Sequence, residues 1–447
     1  MAKEMTSGNP LSLILKFSAP MIAGNLLQQL YSMCDTIIVG RYVGLSELAG
    51  VGSTGSICFL VIGFANGICT GFSIPVSQAF GAGNHKSMRK YIFNALFLAG
   101  IISLILTTIT LFMSGHILRL MKTPDTIYSY AYDYLFITFA GLSATILYNL
   151  SAAILRAIGD SKSPLIFLAL ASALNIILDL VCILKLNMGV AGAGFATVFS
   201  QGVSGILCMI YMYKKYDILR FKKDEIKISI KSDLRLLGIG LPMALQFSIT
   251  AIGSIVLQSS VNQLGELYVT ASTAAMKIHM VFVGPMECIG IAMATYCGQN
   301  LGAKKYSRIS KGIKTSLCIS IVYCVISAVI LSIFGGTTAL LFDIKEADVL
   351  SQVVLYLRIN AVFYPTLGLL FIIRNSLQGM GYSVLPMLAG VTEMIARCIV
   401  CFVFVSKFGY TAACLASPAA WIAADILLVA IYIIKIKEIN KKEVVTV

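Results

Sequence analysis

The chain contains little charge, histidine or tryptophan for its length. Of its 447 residues, 12% are Asp, Glu, Lys or Arg, three are histidine and one is tryptophan, whereas 58% are hydrophobic. The mean hydropathy is +0.88. This composition excludes a water-soluble enzyme and is typical of a membrane protein. Because His85, His116 and His279 are far apart in the sequence, we expect no metal site built from them.

Motifs for enzymatic or nucleotide-driven chemistry are also missing. The sequence has no Walker A motif and no His-Asp, Glu-x-x-His or Ser-Lys arrangement at a productive spacing, so we predict neither an ATP-driven pump nor an enzyme with a catalytic residue or bound cofactor. Twelve cysteines lie in or beside apolar segments. Cys398 and Cys401 have CxxC spacing but no second pair or nearby histidine, so we expect small buried side chains rather than metal or redox chemistry.

The sequence is rich in long apolar segments. A helix that crosses the hydrocarbon core needs roughly 20 mostly apolar residues. Twelve segments meet this need: 13–38, 48–75, 91–113, 130–156, 164–185, 190–213, 236–262, 268–298, 312–334, 350–378, 385–406 and 409–434. We therefore predict an all-α polytopic membrane protein with twelve transmembrane helices.

The two halves of the chain repeat each other. SAPM at 18–21 recurs as GLPM at 240–243, and LRAIGDSKSPL at 155–165 recurs as LQGMGYSVLPM at 377–387. The number of residues between the two copies is the same for both motifs, and we call this separation the repeat offset. QAFGAG at 78–83 recurs as QNLGAK at 299–304, one position short of that offset. With six helices in each half, both halves cross the membrane in the same direction, which predicts two six-helix lobes related by a pseudo-two-fold axis along the membrane normal. Two such lobes create a central cleft of the kind that transporters use for alternating access.

The distribution of charge predicts the topology. The net charge is +14, and most Lys and Arg residues lie in alternate loops, which places both termini and the basic linker in the cytoplasm. This explains the basic excess without a nucleic-acid partner. We predict an N-lobe at 1–213, a cytoplasmic linker at 214–235, a C-lobe at 236–434 and a cytoplasmic tail at 435–447. The location predicted is a bacterial-type cytoplasmic membrane.

Four polar residues of the first half are candidates for an ion-coupling site. A charged side chain at the centre of a membrane helix costs at least about 2.5 kcal/mol, so an acid there needs partners or a wet cavity. Asp35 lies on helix 1, Asn175 and Asp179 share one face of helix 5, and Thr197 lies at a similar depth on helix 6. They could hold a proton or coordinate Na⁺ through Asp35, Asn175 and Asp179. Hydrogen bonds that tether helices, or an interfacial acid at Asp35, are the alternatives.

The predicted spans of the second half contain a different set of charged residues. Glu287 is a weak candidate for attracting a cation, and Gln28 and Asn149 in the first half are weak candidates for substrate contact. Glu393 and Arg397, four residues apart, predict a structural ion pair within one helix. Lys277 and Arg374 also lie within predicted spans.

Taken together, these motifs resemble the multidrug and toxic compound extrusion (MATE) family, in particular its DinF-type branch. The matching elements are DTIIVGRYVG with Asp35, the GAGN and GQNLGA loops, LRAIGDSKSP, and NIILD at 175–179. The resemblance implies that Asp35 is the central ion-responsive residue, that Asn175 and Asp179 match an Asn-x-x-x-Asp of helix 5, and that Thr197 accompanies them. The NorM-type branch has glutamates on helix 7, but 242–260 contains no acid here, which favours an ion site in the N-lobe.

The resemblance also implies a function: efflux of small organic cations, driven by inward flow of H⁺ or Na⁺ as the coupling ion. The expected partners are those cations and membrane lipid, and we expect a monomer. Two alternatives remain open from the sequence. One is a flippase for a lipid-linked glycan or other lipid precursor, to which Lys277 and Arg374 would be suited. The other, from a different class, is an intramembrane enzyme.

Overall fold

A computed structural model describes residues 4–223, 225–340 and 346–446. Across these residues the secondary structure is helical. The chain divides into two compact units. Unit 1 contains Ala23–Ala244, and unit 2 contains Met5–Ile22 and Leu245–Val447, so each unit takes part of α1 (Pro10–Tyr42) and part of α9 (Ile230–Asn262). The divisions fall two residues after Pro20 and Pro242, which occupy equivalent positions in the two repeats.

Unit 1 is built mainly from seven helices between α1 and α9. They are α2 (Leu45–Ser53), α3 (Gly55–Gly81), α4 (His85–Leu120), α5 (Asp125–Ala140), α6 (Leu142–Ala157), α7 (Lys162–Leu180) and α8 (Gly189–Lys215). Its largest core includes the fully buried Phe72, Met88 and Ile154. Other large apolar side chains, such as Phe112 on α4, are exposed, as a lipid-facing surface requires.

Unit 2 contains six further helices after α9. They are α10 (Glu266–Gly302), α11 (Tyr306–Leu340), α12 (Ala347–Val362), α13 (Tyr364–Gly379), α14 (Val384–Ile399) and α15 (Val405–Thr446). Its core includes the fully buried Tyr296, Leu357 and Tyr364.

The helices of the described residues account for twelve membrane crossings. Among the described residues, nine continuous stretches are long and apolar enough to cross, and two bent helix pairs bring the number to eleven. One of the nine, Val384–Ile439, has 56 residues. At 1.5 Å per residue it would be about 84 Å long, against a hydrocarbon core of about 30 Å. Because the backbone of Gly409 is non-helical (φ 60°, ψ −141°), this stretch supplies two crossings.

Three spans predicted as continuous are broken. The segment 48–75 divides at Thr54 into α2 and α3. The segment 130–156 bends by 49° between α5 and α6, and the segment 350–378 bends by 52° between α12 and α13. The first bend lies at Gly141, where a Cβ atom would overlap the side chain of Val198. The second lies at Phe363, two residues before Pro365, which cannot donate a hydrogen bond to the preceding turn. Gly141 and Phe363 are separated by the repeat offset, so both repeats bend at the same place.

Most of the cysteines behave as predicted. All twelve are free thiols and eight are buried. Of the CxxC pair, Cys401 is buried as expected and Cys398 is half-buried, whereas Cys34 and Cys318 are exposed on long helices among other exposed side chains.

Candidate functional site

The candidate site lies in unit 1, where α1 brings Tyr31 and Asp35 to one face. The two residues are one helical turn apart and therefore project in similar directions. The Tyr31 hydroxyl lies 3.2 Å from Oγ1 of Thr197 on α8. This contact joins α1 to α8 at the level of Asp35.

Helix α7 contributes the other half of the site. Asn175 and Asp179 are also one turn apart, with exposures of 2% and 0%. The Asn175 amide donates to the same Thr197 hydroxyl at 3.2 Å. Thr197 thus connects Tyr31 of α1 with Asn175 of α7, and the four residues named from the sequence lie together with Tyr31.

The two carboxyl groups of the site face each other. Asp35 and Asp179 lie within hydrogen-bonding reach of one another. As ionised carboxylates both would be acceptors only, so a hydrogen bond between them requires a proton on one of them. Four buried oxygens here have no donor: Asp35 Oδ1, Asn175 Oδ1, and both carboxylate oxygens of Asp179. Because a buried carboxylate without a donor is costly, this arrangement is suited to taking up a proton or a small cation.

Two tyrosines of the site were not predicted from the sequence. Tyr31 could have been found, because it lies one turn before Asp35 on the same helix face. Tyr134 of α5 lies close enough to Tyr31, Asp35 and Asp179 to interact electrostatically with all three. The direction of the Tyr134 side chain depends on the bend between α5 and α6, and no periodicity in the sequence predicted that bend.

The weaker candidates for substrate contact are divided between the units. Gln28 is exposed on α1 and Asn149 is half-buried on α6, both in unit 1. Glu287 is half-buried on α10 in unit 2, near Arg374.

Of the two basic residues that kept the flippase alternative open, Arg374 lies against an acid and Lys277 is exposed. Arg374 Nη1 lies 3.8 Å from Glu393 Oε2, and Arg397 Nη2 donates to Glu393 Oε1 at 2.9 Å. The latter contact confirms the predicted ion pair within α14. Lys277 is exposed on α10.

The loop between α6 and α7, which carries the LRAIGDSKSP motif, has a structural role. Asp160 accepts hydrogen bonds from the backbone N–H groups of Lys162 (3.1 Å) and Ser163 (3.0 Å) and from the Tyr216 hydroxyl (2.6 Å). Burial alone would raise the pKa of Asp160, but the hydrogen bonds from Ser163 and Tyr216 outweigh it, so the pKa is lowered. Asp160 therefore caps α7 as a carboxylate and ties it to the end of α8.

Comparison with known proteins follows the same two-repeat division. The MatE family model matches the chain twice, at residues 20–181 and 242–403. Both ends of the second match lie one repeat offset after those of the first, as the sequence motifs do. The chain belongs to the MATE family. The expected family is thereby confirmed, together with the twelve-helix, two-lobe fold.

Individual relatives agree with this assignment. The chain is 30% identical over 384 residues to the probable multidrug resistance protein YpnP of Bacillus subtilis (strain 168), covering 85% of each chain. It is 23% identical to the FAD transporter of Shewanella oneidensis, covering 82% of this chain and 81% of the relative. An outward-facing multidrug resistance MATE transporter of the MOP superfamily has the same fold, with a TM-score of 0.91, 23% identity and coverage of 97% and 98%.

These comparisons fix the general class of the protein. MATE proteins are integral membrane multidrug efflux transporters that extrude small molecules, and they are not enzymes. Of the alternatives considered from the sequence, the intramembrane enzyme is thus excluded.

Proposed function

We propose that this protein exports organic cations in exchange for H⁺ or Na⁺, and that Asp35 and Asp179 form the ion-coupling site. The observation that carries the proposal is the facing pair of carboxyl groups in unit 1, which has buried oxygens that lack donors, as does the amide oxygen of Asn175. Asn175 and Thr197 complete the polar surroundings.

The proposed mechanism depends on the charge of this pair. When both carboxyl groups are ionised, the site attracts a cationic substrate and favours a polar environment. When a proton or Na⁺ arrives, the negative charge falls and substrate affinity falls with it. Since such coupling is reciprocal, substrate binding releases the ion to the same extent. Alternating access of the two lobes then exchanges inward ion flow for outward substrate flow.

A proton fits the geometry most directly, because one proton supplies the donor that the two carboxyl groups lack. Sodium would instead need Asp35, Asn175 and Asp179 to turn their free oxygens toward one ion. The two possibilities give different results in vesicles, where the gradients can be imposed separately.

The orientation proposed follows from the basic loops. The chain lies in a bacterial-type cytoplasmic membrane with both termini in the cytoplasm, in contact with lipid, and acts as a monomer. The basic residues of the linker, such as the exposed Lys222 and Lys223, support this orientation.

The test is export of a fluorescent lipophilic cation such as ethidium by everted vesicles, measured as uptake into the vesicle lumen, with pH and sodium gradients applied one at a time. Asp35→Asn and Asp179→Asn should each reduce gradient-driven transport by about tenfold or more, as expected from the loss of a coupling free energy of roughly 1–3 kcal/mol. Asp125→Asn is the matched control, because Asp125 is an exposed acid at the start of α5 in the same unit. Coupled efflux that is unchanged in the two site variants would overturn the assignment.

A further inference from the structure

A second group of charged side chains, buried or half-buried, lies in unit 2, whereas the predicted coupling residues lie in unit 1. Four helices contribute to it: Glu287 from α10, Arg374 from α13, Glu393 and Arg397 from α14, and Asp425 from α15. The first four stand out in the sequence as charged residues within predicted spans, whereas Asp425 was not predicted.

The acids of this group outnumber the bases by one. Glu393 lies against both Arg374 and Arg397. Arg374 also interacts electrostatically with Glu287 and Asp425. With three carboxylates and two guanidinium groups, the fully ionised group has one uncompensated negative charge in a largely buried region, which is unfavourable.

Asp425 is the acid of this group whose two carboxylate oxygens are both buried without a hydrogen-bond donor. Its residue exposure is 6%, and neither carboxylate oxygen accepts a hydrogen bond. A proton on Asp425 would remove the excess charge and the cost of burying an ionised oxygen together. No cluster of three or more metal-ligating His, Cys, Asp or Glu side chains is found among the described residues, so a proton is the simplest ligand.

We propose that Asp425, buried on α15 without a donor to either carboxylate oxygen, is a proton-exchanging carboxyl group in unit 2, which gives the transporter a protonation site separate from Asp35 and Asp179. This proposal extends the proposed function of the chain as an ion-coupled exporter and rests on it only for its role in transport. At the repeat offset Asp425 corresponds to Val203, so the site has no counterpart in the first repeat.

Several other titratable groups surround this region, and the test must separate them from Asp425. They are His279 and Glu287 of α10, Tyr356 of α12, Tyr364 and Arg374 of α13, Glu393 and Arg397 of α14, Cys401 after α14, and Tyr410 of α15. His279 is the main competitor, because its ring stacks on Trp421 with the ring centroids 6.1 Å apart and the planes 1° apart.

The fluorescence of Trp421 can report the protonation of Asp425. Trp421 is the one tryptophan of the chain and lies four residues before Asp425, on the same face of α15. We expect the tryptophan fluorescence of the purified protein in lipid nanodiscs to change with pH in a single transition. Asp425→Asn should abolish this transition, whereas His279→Asn and Asp35→Asn should retain it.

Each outcome decides the question. A transition that persists in Asp425→Asn, or that disappears only in His279→Asn, would overturn the proposal, as would a wild-type protein without any transition. If Asp425→Asn does not fold, acid-minus-alkaline infrared difference spectra of Asp425→Glu provide the test. The carboxylic acid C=O band should shift relative to wild type, and an unshifted band would contradict the assignment.

This experiment is independent of the coupling site in unit 1. Since it uses no gradient and no substrate, a failure of Asp35 as the coupling residue would leave the Trp421 transition unaffected. Conversely, Asp35→Asn could lose gradient-driven efflux while the wild type shows no Trp421 transition. That result would support the coupling site in unit 1 and would reject only the assignment of Asp425.

Discussion

At the scale of single residues, the hydrogen-bond donors around a buried acid determine whether it takes up a proton or stays ionised. Asp179 is fully buried and has no hydrogen-bond donor on either oxygen. Glu225, in the linker between the repeats, is also buried but accepts hydrogen bonds from Arg89 Nε (2.5 Å) and Nη2 (2.7 Å). The first carboxyl group therefore has a reason to take up a proton or cation, and the second is fixed as a carboxylate.

We expect the Arg89–Glu225 pair to hold the linker against α4 at every ordinary pH. The hydrogen bonds from Arg89 lower the pKa of Glu225 from 4.5 to about 2. A lowered pKa means that the stabilisation is fully present above pH 4.5 and is lost only as the pH falls through about 2. Glu225→Gln removes it at every pH, so we expect severalfold faster tryptic cleavage at the exposed Lys222 and Lys223 at neutral pH.

The control for this prediction is Asp217→Asn in the same linker. The Asp217–Arg220 pair is on the surface, with side-chain exposures of 81% and 48%, and such pairs contribute little. Equal cleavage rates in the two variants would show that the buried pair does not hold the linker.

At the scale of helices, small residues decide where two helices come close. The spacing of Gly63, Gly67 and Gly71 on α3 suggests close packing, and in unit 1 the first part of α9 packs against this face. A Cβ atom on Gly67 would lie 2.5 Å from Ala244 Cα. Backbone is the obstacle in this case, so no side-chain rotation could relieve the overlap.

Gly67→Ala should therefore lower the Tm of the detergent-solubilised protein, at a cost of about 1–3 kcal/mol. Gly100→Ala is the matched control, because no atom lies within 4 Å of the added Cβ on α4. Alanine there should leave the Tm unchanged or raise it, since glycine within a helix is destabilising by roughly 0.5–1 kcal/mol relative to alanine. The same Tm change in both variants would contradict the close approach of α3 and α9.

The helices could largely be predicted from the sequence, and their bends could not. Each predicted span falls on an observed helix or helix pair because burial in lipid demands about 20 apolar residues whatever the packing. The bends at Gly141 and Phe363 depend on which helix packs against them, as Val198 does against Gly141. For the same reason Asp35, Asn175, Asp179 and Thr197 could be named from their chemistry, whereas Tyr134 depended on the bend beyond it.

At the scale of the whole chain, the two repeats share a fold but differ in chemistry. At the repeat offset, Asn175 corresponds to Arg397, Asp179 to Cys401 and Asp35 to Leu257. The carboxyl pair of unit 1 therefore has no equivalent in unit 2. In its place Arg397, 4% exposed, is paired with Glu393 and packs against Gly253.

This divergence predicts a structural role for the Arg397–Glu393 pair and a coupling role for the residues of unit 1. Removing one partner of a buried pair costs about 3–5 kcal/mol, whereas replacing both is often neutral. Arg397→Met and Glu393→Gln should each lower the Tm, and the double variant should lose less than the sum of the two, with an interaction energy of about 0.5–3 kcal/mol. The double variant should retain gradient-driven ethidium efflux, which Asp35→Asn loses. Additive losses in Tm would reject the pair as a unit, and loss of ethidium efflux in a stable double variant would reject a purely structural role for it.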